Sequence, residues 1–164
     1  MHYAAYGSNL HPTRLAKRLA SAQLIGTAHL ADWSLRFHKR SEDGSGKCSI
    51  VPDHGGVHFA IFEISNEDKL VLDRIEGVGS GYAEVSLNIA GYGECLSYVA
   101  EESYVDDSLR PYGWYKELVL AGARFNGFPD HYVLQIESMQ ATDDPDPVRG
   151  ANQWELVSEV KAGN

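Results

Sequence analysis

The sequence predicts a mixed α/β fold in a single domain, on three observations. A short strand, a glycine turn and a helix start open the chain within residues 2–20. Strand-like segments separated by turn residues fill 23–100, interrupted by one well-capped helix. Two helical stretches, 111–125 and 130–139, follow them. With 164 residues, 43% of them hydrophobic, the chain is long enough for one substantial core and too short for two.

Each element has its local reason. Residues 2–6 (His2, Tyr3, Ala4, Ala5, Tyr6) contain aromatics and alanines without a breaker and read as a strand. Tyr6-Gly7-Ser8-Asn9-Leu10 comes next, and Gly7 permits a turn that a residue with a Cβ would resist. Residues 11–20 read as a helix, with Pro12 in the first turn, where a missing N–H costs nothing. A strand, a glycine turn and a helix start aim several free N–H groups at one point. Such a point can hold a carboxylate or a developing oxyanion.

Residues 23–37 carry the alternation of a strand, clearest in Trp33-Ser34-Leu35-Arg36-Phe37. The polar, glycine-rich stretch 39–56 reads as a long loop broken only by Ile50-Val51, of the kind that serves as a lid, binding loop or interface. Residues 58–64 alternate again, with Phe59 and Ile61 on one face. Residues 65–76 start with a cap at Ser65 or Asn66, place acids in the first turn and stop at Gly77. Residues 82–90 and 93–100 form a hairpin through Gly91-Tyr92-Gly93. The two later helices are separated at Asn126-Gly127. The run Thr142-Asp143-Asp144-Pro145-Asp146-Pro147 then suggests a mobile tail with solvated acids. The expected organisation is one domain over 1–141 and an acidic C-terminal extension over 142–164.

Charge narrows the partners. Twenty-three acidic residues against 14 basic ones give a net charge of −9, which argues against nucleic acid and anionic membrane surfaces. Cys48 and Cys95 stand far apart without a C-x-x-C pair, and two glycines separate His54 from His58. No metal spacing results, and the thiols read as reduced structural residues. With no leader-like apolar segment and no run of transmembrane length, a cytoplasmic location is expected.

Glu76 is the candidate for chemistry. It sits in the last turn of a helix, where the dipole is negative and a carboxylate is unfavourable. It is either a solvated surface acid or a carboxyl whose pKa is raised toward neutrality, suited to taking and returning a proton. Other constellations lack their context. Ser8 is not in a nucleophile elbow, and no partner histidine stands at a telling place. Gly77-Val78-Gly79-Ser80-Gly81 lacks the strand-to-helix setting and the Lys-Ser/Thr ending of a phosphate loop.

Taken together, Tyr6-Gly7-Ser8-Asn9-Leu10 after the first strand and Glu76-Gly77-Val78 followed by Gly81-Tyr82 resemble the γ-glutamylcyclotransferase family. Further echoes are Phe37-His38-Lys39-Arg40-Ser41, Asp43-Gly44-Ser45-Gly46-Lys47, Tyr115-Lys116 and Asn126-Gly127-Phe128-Pro129, so the resemblance covers roughly residues 2–137. Asn9 places the sequence nearer the general branch than the glutathione-specific one. The resemblance implies a closed or nearly closed, barrel-like sheet with flanking helices. It implies Glu76 as the catalytic residue, with Tyr6, Gly7, Ser8, Asn9, Leu10 and Tyr115 around the substrate. It also implies a cofactor-independent enzyme that converts a small γ-glutamyl amide to 5-oxoproline and the free amine. Two alternatives stay open: a non-catalytic module that senses a γ-glutamyl or carboxylate metabolite, and a cyclotransferase that removes a γ-glutamyl protecting group in a biosynthetic pathway. No oligomeric state is implied.

Overall fold

The computed structural model describes residues 1–163. Its strands are β1 (His2–Ala5), β2 (Gln23–Leu30), β3 (Trp33–Arg40), β4 (Gly46–Pro52), β5 (Val57–Glu63), β6 (Tyr82–Ile89) and β7 (Gly93–Ala100). Its helices are α1 (Pro12–Ala16), α2 (Asn66–Glu76), α3 (Gly113–Phe125), α4 (Asp130–Ser138) and α5 (Pro147–Ala162), with a single 3₁₀ turn at Glu102–Tyr104. Five strands form one sheet in the order β2-β5-β1-β7-β6, and β3 and β4 form a separate hairpin.

The short β1 is central because it is apolar on both faces. It runs antiparallel to β5, with Tyr3 opposite Phe62, and parallel to β7, with Tyr3 opposite Leu96. Its last residue therefore ends inside the molecule, and the Gly7 turn begins there. The hairpin is fastened on both sides of β1. Ser34 bridges to Gly56 at the start of β5, and Ala100 N at the end of β7 donates to Ser49 Oγ (2.9 Å). The wall is nearly closed, although it consists of two ladders rather than one continuous barrel. Leu35, Phe37, Cys48 and Ile50 of the hairpin are buried in the same core as Tyr3, Phe59 and Ile61 of the sheet.

Stretch 39–56, expected as a long loop, is half strand. β3 runs on to Arg40, a tight turn follows, and β4 returns antiparallel to it. In that turn Gly44 N donates to Ser41 O (3.0 Å) and Ser45 N to Asp43 Oδ1 (2.9 Å). The strand is hard to read because both of its faces are covered. Cys48, Ser49 and Ile50 are buried in succession, which erases the alternation that marks a half-buried strand. Residues 23–37 likewise hold two strands, β2 and the start of β3.

Helix α2 follows its sequence signals. Ser65 accepts from Asp68 N at the N-terminus, and Gly77 closes the helix at φ 68°, with Val78 N donating to Asp73 O (3.0 Å). Helix α3 is apolar nearly all round and is buried accordingly, packing against both α4 and α5.

The stretch after residue 141, read as a mobile tail with solvated acids, is ordered otherwise. Asp146 caps α5 by accepting from Val148 N and Arg149 N (3.0 Å each), and Pro147 occupies the first turn. Val157 and Val160 of α5 are buried against the body, each worth about 1.5–3 kcal/mol on transfer from water. Asp144 is not a solvated acid: its side chain is 4% exposed, accepting from Trp114 Nε1 (2.9 Å) and Arg149 Nε (2.8 Å). Among the described residues, no helix is long and apolar enough to cross a membrane.

Candidate active site

The end of β1, the end of α2 and the N-terminal part of α3 converge on one recess. It is lined by Tyr6, Gly7, Ser8 and Asn9 of the turn, by Glu76, and by a belt of hydroxyls and a thiol from Tyr3, Tyr82, Tyr98, Tyr115 and Cys48. Gly7 is required here for close approach. It does not have a positive φ, but a Cβ on it would stand 3.1 Å from Cys48 Cβ and 3.5 Å from Tyr115 Oη. Within the turn Leu10 N donates to Gly7 O (3.1 Å). The N–H groups of Gly7, Ser8 and Asn9 meet no acceptor among the described residues.

Glu76 reaches the recess from the last turn of α2. Asn9 Nδ2 donates to Glu76 Oε1 (3.0 Å) and to Tyr3 Oη (3.1 Å), while Arg18 Nη1 donates to Asn9 Oδ1 (3.1 Å). Asn9 is thereby held in one orientation and holds Glu76 in turn. Arg18 Nη1 also stands 3.9 Å from Glu76 Oε1, and 17% of the Glu76 side chain reaches solvent. Burial pushes the Glu76 carboxyl above the usual carboxylate range. Arg18, the Asn9 hydrogen bond, Lys39 and Arg14 oppose that shift without cancelling it.

The tyrosines divide into those committed to the scaffold and those with capacity left. Tyr6 Oη donates to Tyr98 O, Tyr98 Oη to Asp73 Oδ1 (2.7 Å), and Tyr82 Oη to Cys48 O (2.6 Å). Tyr115 Oη instead accepts from Cys48 N (3.1 Å) and faces the thiol of the same residue, a weak acceptor that a ligand can replace. Burial raises the pKa of Tyr3, Tyr6, Tyr82 and Tyr115, so these hydroxyls stay protonated. It pushes the Cys48 thiol up to about 12, so that group is an inert thiol and not a nucleophile.

Outward from the recess lies a wider cavity of about 290 Å³ that shares Ser8, Glu76, Tyr82 and Tyr115 with it. Its walls carry five cations, Arg14, Arg18, Lys39, Lys47 and Arg149, against the acids Asp43 and Glu76. A protein of net charge −9 thus holds a positive cavity beside its buried carboxyl.

A sequence profile of the AIG2-like family matches residues 56–136, a span that contains Glu76. A γ-glutamylcyclotransferase from Bos taurus is 28% identical over 98% of this chain and 88% of its own length. The enzyme of that name from Homo sapiens is 29% identical over 86% of this chain and 79% of its own. A solved structure of a γ-glutamyl cyclotransferase superposes with a TM-score of 0.84 at 26% identity, covering 97% of this chain and 98% of that one. The chain is similar to γ-glutamylcyclotransferases in sequence and in fold, over nearly its whole length. An uncharacterised protein from Homo sapiens has the same fold, with a TM-score of 0.83, 27% identity and coverage of 96% and 97%.

Of the site residues that the resemblance implies, Glu76, Tyr6, Gly7, Ser8, Asn9 and Tyr115 all line the recess. Leu10 does not. It is fully buried beneath α3, and its carbonyl accepts from Asn126 Nδ2 (2.9 Å). Sequence reasoning left out Tyr3, Tyr82, Tyr98 and Cys48, and all five cations of the outer cavity. For two of these a signal was present, since Arg14 and Arg18 are four apart on the segment that follows the turn. Tyr104 lies outside the recess; its ring stands 5.9 Å from Lys39 Nζ.

Proposed function

We propose that the chain is a γ-glutamyl cyclotransferase that closes the γ-glutamyl group of a small amide to 5-oxoproline and releases the amine, with Glu76 as the proton carrier. The observation that carries this reading is the placement of Glu76. It is buried, raised in pKa, fixed by Asn9, and bordered by both the recess and the outer cavity. The glutamyl half would occupy the recess and the amine half the outer cavity, so one carboxyl faces both nitrogens of the reaction.

The chemistry needs little else. The substrate's α-amine attacks its own γ-carbonyl carbon, so a C–N bond forms within the chain and the original amide C–N bond breaks. Holding the folded conformer supplies proximity. Glu76 takes a proton from the attacking amine and returns it to the departing nitrogen, so the proton count balances without a covalent enzyme intermediate. The N–H groups of Gly7, Ser8 and Asn9 are suited to the negative charge that builds on the carbonyl oxygen, and the Tyr115 hydroxyl to orienting the substrate. The test is a panel of γ-glutamyl amino acids, γ-glutamyl amines and glutathione, assayed for 5-oxoproline by mass spectrometry. Release of 5-oxoproline from any of them is the expected result. A folded protein silent on every one would favour the sensing module.

The electrostatics fix the pH behaviour. Glu76 must be ionised to accept the first proton, so kcat/KM falls as pH drops through its pKa. Because burial raises that pKa, the acid limb is expected above the ordinary glutamate value of 4.5. Arg18 is the first of the groups that lower it, so Arg18→Gln is expected to move the limb to higher pH. A limb at or below 4.5, or one that Arg18→Gln leaves in place, would count against Glu76 as the base.

A further inference from the structure

The outer cavity holds more positive charge than the reaction requires. Lys47 and Arg149 are accounted for, Lys47 by Asp43 (2.6 Å) and Arg149 by Asp144. Arg14, Arg18 and Lys39 share the attraction of Glu76, Lys39 also feels Glu42, Asp43 and Glu101 from beyond ion-pair distance, and only Arg18 comes within ion-pair distance of Glu76. Arg14 and Lys39 are 8% and 9% exposed and form no ion pair among the described residues. The Arg14 Nε is buried without a hydrogen-bond partner, and Lys39 Nζ stands over the rings of Tyr82 (4.7 Å) and Tyr104 (5.9 Å). A buried cation without a counter-charge is costly, and burial lowers the pKa of both groups. Neither Arg14 nor Lys39 has a carboxylate within ion-pair distance among the described residues, so both are open to negative charge brought by a ligand.

The glutamyl half of a γ-glutamyl amide does not supply that charge, because its α-ammonium and α-carboxylate cancel. The compensation falls to the amine half, which the reading above places in this cavity. We infer that the preferred substrate releases a dicarboxylate amine, an acidic amino acid whose two carboxylates are received by Arg14 and Lys39. Arg14 offers a planar fork to one carboxylate, and Lys39 a point charge to the other. This inference rests on the cyclotransferase reading and adds the substrate class to it.

An isosteric series separates charge from shape: γ-glutamyl-aspartate, γ-glutamyl-asparagine and γ-glutamyl-asparaginamide differ by one carboxylate at each step. With the full chain, kcat/KM for 5-oxoproline release is expected to fall in that order, by about tenfold or more per lost carboxylate. In Lys39→Gln the ratio of aspartate to asparaginamide substrate is expected to drop by about tenfold, and Lys39→Arg is expected to restore much of it. The ratio is read within each variant, so a general loss of activity does not mimic the effect. Arg14→Lys gives a second reading that keeps the buried charge and removes the fork. Equal turnover of the three substrates, or a ratio indifferent to both positions, overturns the inference and leaves the cyclotransferase intact. No 5-oxoproline from these three or from the wider panel overturns both.

Discussion

Glu76→Gln is expected to lower kcat/KM for 5-oxoproline release by about 10²–10⁴-fold, the usual contribution of a positioned proton carrier. The substitution preserves shape and keeps an oxygen for the Asn9 amide, which now donates to Glu76 Oε1 at 3.0 Å. It loses the loose approach of Arg18 at 3.9 Å and the weaker attraction of Lys39 and Arg14, which together fall short of the cost of burying the charge. The loss should therefore appear in the rate and not in the fold. Stability is expected to move the other way. A carboxyl whose folded-state pKa is raised favours its protonated form in the folded protein. Its contribution to stability is fully present below the unfolded pKa and is lost as pH rises through the folded value. Glutamine does not titrate, so Glu76→Gln should melt at the wild-type temperature or above it at neutral pH, with the difference growing as pH rises through that window. Wild-type turnover in a folded Glu76→Gln protein would remove Glu76 from the mechanism. A lower melting temperature at neutral pH would remove the account of its strain.

The signs in the sequence that survived folding are those with a local mechanism. Ser65 caps α2 and Gly77 ends it in the left-handed conformation, as their residue types dictate. Gly127, at φ 63°, divides α3 from α4 for the same reason. The recess was legible in part because two short motifs supply it, one at each end of a regular element. Its remaining walls were not, because they depend on pairing between distant segments. Cys48 enters through the β3–β4 hairpin, and two tyrosines from elsewhere in the chain, Tyr82 and Tyr115, hold its backbone. No local pattern announces such a meeting.

Two misreadings have definite physical causes. Between 39 and 56 the eye is drawn to glycines and small polar residues, yet strand pairing is a backbone property and accepts them where both faces are covered. After residue 141 the aspartates and prolines read as a polar tail by composition, yet Asp146-Pro147 is a helix cap followed by a first-turn proline. That helix also brings Arg149 and Gln153 to the outer cavity. The sequence leaves Glu76 either a solvated acid or a raised carboxyl, with the helix dipole as the ground for the second; burial is what raises it in the structure.

Gly122→Ala is expected to be the more damaging of two alanine substitutions in helices, and the contrast tests how the turn is held. Alanine normally favours a helix over glycine by about 1 kcal/mol. At position 122 a Cβ would fall 2.3 Å from Leu10 Cβ, 3.0 Å from His11 N and 3.1 Å from Leu10 C. Two of those three atoms are backbone, so the strain is not relieved by a rotamer change. Overpacking of this kind costs about 1–3 kcal/mol, which outweighs the helix gain and should lower the melting temperature by several degrees. The atoms that must move directly follow Gly7, Ser8 and Asn9, so kcat/KM should fall along with stability even at temperatures where the variant is fully folded. Gly150→Ala in α5 meets nothing closer than Asp144 Cβ at 3.6 Å, an ordinary contact, and should stabilise the protein by about 0.4–1 kcal/mol without touching the rate. Differential scanning calorimetry beside 5-oxoproline kinetics reads both. If Gly122→Ala were as harmless as Gly150→Ala, α3 would not be the buttress of the turn, and the alignment of Glu76 with the turn would need another support.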